Sequence, residues 1–78
     1  MRLNMEPATI DDLGTLYRRL AWEFMRRALK DRNNRKVYPF WLGNANMAIN
    51  VLSSISHPSA YRALARYNMV WRICENMN

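Results

Sequence analysis

Apolar residues recur every three or four positions through the first third of the chain. The series is Ile10, Leu13, Leu16, Tyr17, Leu20, Phe24 and Ala28. This spacing puts the apolar side chains on one face of an α-helix, and another part of the chain must then cover that face. Thr9 followed by Asp12 resembles a capping box. A helix is therefore predicted over residues 10–32, with its N-cap at Thr9 and a loop at NNRK.

Two later segments have helical spacing as well. No Lys, Arg, Asp or Glu occurs from Val37 to Tyr61, and a second helix is predicted there over 40–55, with an interruption at Gly43 left open. Pro58 suits the first position of a helix, which predicts a third helix over 58–75. A chain of 78 residues with only 2 Gly has room for one core. The predicted fold is all-α, a small single-domain three-helix bundle spanning residues 1–78.

The second and third helices differ in the faces they offer. The predicted core face of the third helix contains Ala60, Ala63, Leu64, Tyr67, Val70, Trp71 and Cys74. On the second helix, Asn46, Asn50, Ser53 and Ser54 form a polar face without charge. Neutral amides cost less to desolvate than ions, so an uncharged polar face is typical of a helix that is largely covered.

Positive charge dominates the composition. The chain has 12 Lys and Arg against 6 Asp and Glu, a net charge of +6, which favours nucleic acid, an anionic membrane or an acidic protein surface as partner. Most of that charge lies in one stretch: Arg18, Arg19, Arg26, Arg27, Lys30, Arg32, Arg35 and Lys36. One interpretation is a solvated face, because Glu23 lies four residues from both Arg19 and Arg27. The other is a binding surface, because Glu23 and Asp31 cannot neutralise so many cations.

Catalytic chemistry is not predicted. The single histidine, His57, precedes Pro58 without a neighbouring acid and is predicted to be a turn or capping residue. No nucleotide-binding or hydrolase motif occurs. Cys74 is the only cysteine, which excludes an internal disulfide and a cysteine-based zinc cluster. We expect no enzyme activity, no cofactor and no metal ion.

Recognition of a protein is the leading functional prediction. Trp, Tyr, Met and Arg are enriched at protein interfaces, and this chain is rich in all four. Trp22, Met25 and Leu29 form an apolar stripe beside the arginines, and Tyr38, Phe40 and Trp41 add surface that three short helices do not easily bury. The chain is predicted to be an inhibitor or regulator that docks on an acidic protein, with nucleic-acid-handling machinery a target class by analogy. The predicted contact residues are Arg18, Arg19, Trp22, Met25, Arg26, Arg27, Lys30, Arg32, Arg35, Lys36 and Trp41.

Other partners stay open. The same cations could bind DNA or RNA phosphates directly, and the surplus apolar surface could form a homo-oligomer. A membrane-surface role is less favoured, because globular packing explains the apolar face of the first helix. The N-terminal residues lack a signal-peptide core, and no apolar run approaches the ~20 residues of a membrane span, so a cytoplasmic protein is expected. No motif identifies a family, although short basic helical proteins of phages, plasmids and other mobile elements are broadly similar.

Overall fold

Three α-helices make up the computed structural model, which describes residues 7–77, with side chains from residue 9 onward. They are α1 (Pro7–Lys30), α2 (Tyr38–Ser54) and α3 (Ser59–Asn76), and no strand occurs within these residues. The predicted all-α three-helix bundle is confirmed. The N-terminal segment in which we expect no signal peptide lies mostly outside the described residues. No helix in the described range is both long and apolar enough to cross a membrane.

Contacts between the helix ends define the topology. Trp41, near the start of α2, donates a hydrogen bond to Asp31, just after the end of α1. His57, just after α2, lies against Gly14 near the start of α1. The Cys74 thiol at the end of α3 donates to the Ala28 carbonyl, with 3.7 Å between sulfur and oxygen. The helices therefore run up, down and up, with α1 and α3 parallel and α2 antiparallel to both.

The ends of α1 differ from the prediction. The helix already includes Pro7, so Thr9 lies inside it and the predicted N-cap at Thr9 is wrong. At the other end, the Arg32 guanidinium donates to the Leu29 carbonyl at 2.8 Å. That bond serves one of the carbonyls that the end of a helix leaves without an intrahelical partner. Arg32, the first cation after α1, therefore caps the C-terminus of that helix.

Gly43 does not interrupt α2, which is continuous from Tyr38 to Ser54. Open space surrounds the position that a Gly43 Cβ would occupy, so no packing contact requires a glycine there. The turn after α2 is closed by His57, whose Nδ1 accepts the Ser59 backbone N–H at 3.1 Å. The prediction of His57 as a turn or capping residue is confirmed.

The buried core of α1 overlaps the predicted apolar face but is shifted to one side of it. Ala21, Met25 and Ala28 are buried, whereas Leu16 is exposed. Met25 is only 1% exposed, so the prediction that it belongs to an exposed apolar stripe is wrong. The reason is geometric: α2 packs on one flank of α1 and α3 on the other, and the seam between the flanks is buried most deeply.

The third helix buries a narrow stripe. Ala63, Val70 and Cys74 are buried, but Leu64 and Trp71 are 46% and 45% exposed, so their assignment to the core is wrong. Each of these two residues directly follows a position on the buried stripe, about 100° further around the helix. Because α3 has neighbours on only one side, that rotation is enough to turn a side chain toward solvent.

The polar face of α2 is also uncovered. Asn46, Asn50, Ser53 and Ser54 are all exposed, so within residues 7–77 nothing provides the cover that their uncharged character predicts.

Candidate partner-binding surface

The predicted cations form one exposed surface, called here the basic face. It covers the outward side of α1 and the loop to α2. All of its members are exposed: Arg18, Arg19, Arg26, Arg27, Lys30, Arg32, Arg35 and Lys36. Asp11 and Asp12 lie near the opposite end of α1. The charge along the helix is therefore uneven, acidic near its start and basic toward its end.

Glu23 is the anion at the centre of the basic face. Its carboxylate pairs with Arg26, one turn along the helix, and with Arg27, whose Nε lies 3.2 Å from Oε1. The predicted pair with Arg27 forms, whereas the one with Arg19 is replaced by Arg26. Hydrogen bonds from Arg26 and Arg27 hold the pKa of the Glu23 carboxyl below its ordinary value. One carboxylate thus serves two cations and leaves a net positive surface.

The second anion in this region, Asp31, serves a tryptophan. Its Oδ2 accepts the indole N–H of Trp41 at 3.0 Å. Consequently, within the described part of the chain, several cations of the basic face have no carboxylate within ion-pair distance. They are Arg18, Arg19, Lys30, Arg35 and Lys36.

Trp41 closes the side of the basic face toward α2. Its ring stacks on Phe24 at a centroid distance of 6.1 Å and meets the edge of Phe40 at 5.0 Å. The Arg27 guanidinium lies over the same ring, 5.0 Å from its centroid. Such a cation–π contact contributes about 0.5–1 kcal/mol at an exposed site. Trp41 is therefore held on several sides and is only partly exposed.

Trp22 closes the opposite side, toward α3. The Arg18 guanidinium lies 5.8 Å from the centre of its ring. A groove between α1 and α3, called here the basic groove, has Trp22, Met25 and Leu29 as its apolar lining. Its charged lining consists of Arg19, Arg26, Arg66 and the carboxylate of Glu23, which pairs with Arg26. Arg66 is absent from the predicted set. Its position at the margin of the α3 core face was the only sequence signal for it.

The predicted contact residues therefore separate into different environments. Arg18, Arg19, Trp22 and Arg26 lie on or beside the basic groove, while Arg27 and Trp41 lie at the junction of α1 and α2. Arg35 and Lys36 line a shallow recess in the loop together with Lys30, Asn33 and Asn34. Met25 is a core residue that lines the basic groove with only the 1% of its surface that is exposed.

The groups capable of chemistry have structural partners. Nδ1 of His57 is occupied by the Ser59 N–H. Cys74 is buried, and burial raises the pKa of its thiol, although the nearby charge of Arg32 opposes that shift. Within residues 7–77, no three His, Cys, Asp or Glu side chains come together as a metal site would require.

Comparison with known proteins identifies no relative. No protein-family model, no curated protein and no solved structure matches the chain.

Proposed function

We propose that this chain is a non-catalytic binding protein, an inhibitor or regulator, that docks its basic face on an acidic protein surface. The observation that carries the proposal is the basic groove, where arginines surround the exposed parts of Trp22 and Leu29. Tryptophan and arginine are the side chains that most often dominate binding energy at protein interfaces. A cytoplasmic location is part of the proposal, because Cys74 is a buried free thiol.

The arrangement of charge and apolar surface favours a protein partner over bare phosphate. Phosphate binding needs cations alone, whereas the basic groove combines Arg19, Arg26 and Arg66 with a tryptophan and a leucine. We expect the partner to offer carboxylates to the arginines and an apolar side chain to the groove. Machinery that handles nucleic acids is the target class we favour, by analogy alone.

A second candidate, direct binding of DNA or RNA, is favoured by the loop recess. Lys30, Arg35 and Lys36 surround Asn33 and Asn34 there, and the only acid in the recess, Asp31, already accepts the Trp41 N–H. Cations and amides of this kind suit a phosphate group.

Matched charge variants test the proposal. Partners are first captured from a lysate with and without nuclease, and a captured protein is purified. Its affinity is then measured for Arg19→Gln/Lys30→Gln, which alters the basic face, and for Arg62→Gln/Arg72→Gln, which alters exposed arginines of α3. Both variants lose the same net charge. We expect about a tenfold loss for the first, equivalent to about 1.4 kcal/mol, and little change for the second.

The result can contradict the proposal in two ways. Equal losses in the two variants would mean that net charge, not the basic face, drives binding. Partners that disappear with nuclease would transfer the function to nucleic acid, whose affinity should then fall about 10³- to 10⁵-fold between 50 and 200 mM salt if six or more phosphates are contacted.

A further inference from the structure

A second exposed surface lies on the side of the bundle formed by α2 and α3. Ile49, Asn50 and Ser53 of α2 meet Tyr61 and Leu64 of α3 across a shallow recess. Asn46 lies one turn before Asn50, and Trp71 lies two turns after Leu64. We call this surface the neutral face and define it by Asn46, Asn50, Ser53, Tyr61, Leu64 and Trp71.

Large apolar side chains are exposed on the neutral face. Tyr61 is 85% exposed, and Leu64 and Trp71 are each close to half exposed. Their spacing of three and seven residues aligns them along one side of α3. Aromatic and leucine side chains in a row beside polar amides are typical of a surface that another molecule covers.

The charge of the chain indicates which molecule covers the neutral face. The chain has a net charge of +6, so two copies repel each other wherever their cations approach. The residues that define the neutral face carry no charge, and α2 contains no charged residue at all, although Arg72 and Glu75 of α3 lie beside the Trp71 end of this face. The neutral face therefore offers two copies an approach that keeps the arginines of their basic faces apart, while an acidic partner gains little from it.

The polar residues of the neutral face also suit self-association. A two-fold dimer brings each patch against its own counterpart, so the surface must complement itself. An asparagine amide both donates and accepts hydrogen bonds, which lets Asn46 and Asn50 pair with amides of a second copy. This explains the uncharged polar side of α2, which no other helix in the described residues covers.

We propose that two copies of this chain form a two-fold dimer through the neutral face, leaving the two basic faces on the outside. Helices of 17 and 18 residues are each about 26 Å long, so the whole α2–α3 side, of which the neutral face is one part, offers at most roughly 500 Å² per copy. Interfaces that bury about 1,000 Å² in total are at the small end of specific interfaces. We therefore expect a weak dimer, with a dissociation constant of about 10–100 µM.

Sedimentation velocity of the full chain from 5 µM to 1 mM tests the dimer. Tyr61→Lys adds a cation to the neutral face, and Met47→Lys adds the same cation at an exposed position of α2 that is not among the residues that define this face. Lysine is chosen because it creates no new attraction between basic chains. We expect the wild-type chain and Met47→Lys to dimerise, and Tyr61→Lys to lose at least tenfold in dimer affinity while keeping the wild-type circular dichroism spectrum.

Several results would overturn the proposal. A wild-type chain that stays monomeric at 1 mM has no such dimer. If Tyr61→Lys dimerises as well as Met47→Lys, the contact lies elsewhere. The dependence of dimer affinity on ionic strength provides an independent check. The affinity of a neutral interface should stay constant or increase from 50 to 500 mM salt. A dimer that dissociates with added salt would be held by charges and not by this face.

Discussion

The imidazole ring of His57 lies directly against the backbone of Gly14. A Cβ atom built on Gly14 would overlap Cδ2 and Nε2 of the ring. The same ring accepts the Ser59 N–H at the start of α3. One side chain therefore joins the second turn region of α1 to the beginning of α3, and glycine makes room for it.

Gly14→Ala should destabilise the protein by about 1–2 kcal/mol. Alanine favours the helix by roughly 1 kcal/mol over glycine, but the methyl group must displace the His57 ring and its bond to Ser59. In a His57→Ser background the obstacle is absent, and the same substitution should instead stabilise by up to about 1 kcal/mol. Urea unfolding of the four proteins measures both values. If Gly14→Ala has the same sign in both backgrounds, the contact is not the cause.

The sequence pattern places Trp71 in the core and Met25 in an apolar surface stripe, but the effects of mutation on stability should show the reverse. Met25→Ala opens a cavity in the core and should cost about 2–5 kcal/mol, enough to unfold much of a domain this small. Trp71→Ala removes a larger side chain that is nearly half exposed, and it should cost less than about 1 kcal/mol. Thermal unfolding followed by circular dichroism compares them, at a low concentration where self-association is minimal. The reverse order of stabilities would contradict the core described above.

Cys74 should be unreactive in the folded protein. Its side chain is fully buried and its thiol pKa is raised by that burial, so the reactive thiolate is both scarce and inaccessible. Iodoacetamide at pH 8 should alkylate it at least about 100-fold more slowly than the urea-unfolded chain. A Cys74→Ala/Met47→Cys variant places a thiol at an exposed position as a control. Native Cys74 reacting within tenfold of that control would mean that α3 opens readily from α1.

Glu23 should titrate below the ordinary range of a glutamate. Because its pKa is lowered by Arg26 and Arg27 in the folded state, the unfolded chain binds the proton more tightly. The ion pairs therefore add stability above the unfolded pKa, and this contribution is lost as the pH falls through the lower, folded pKa. Side-chain carboxyl NMR shifts give the midpoint directly. An Arg26→Gln/Arg27→Gln variant should return it toward the ordinary value, and an unchanged midpoint would exclude the arginines as the cause.

The number of helices and their approximate positions follow from local patterns. Apolar spacing, the charge-free segment and Pro58 each act over a few residues, so they can be recognised without knowing the fold. The exact set of buried α1 residues cannot be recognised in this way. Apolar residues span a wide arc of the helix, and only the positions of α2 and α3 decide which part of that arc is buried. For that reason the predictions for Met25 and Leu16 are wrong.

The candidate partner-binding surface is likewise predictable only where it depends on local sequence patterns. The cations of α1 and the loop are exposed as expected, since charged side chains of an amphipathic helix face solvent. Contacts distant in sequence cannot be recognised from local patterns: Arg66 joins the basic groove from α3, and His57, which follows α2, lies against Gly14 of α1. Trp71 was expected in the core because large aromatics usually are, but its helix has neighbours on only one side.

The uneven charge along α1 gives the molecule an electric dipole. Asp11 and Asp12 lie near one end of a body that is 45 Å long, and the basic loop lies toward the other. In the field of an acidic surface such a molecule experiences a torque that turns its basic end forward before contact. Orientation during diffusion raises the rate of productive encounters, and added salt removes this advantage by shortening the range of the field.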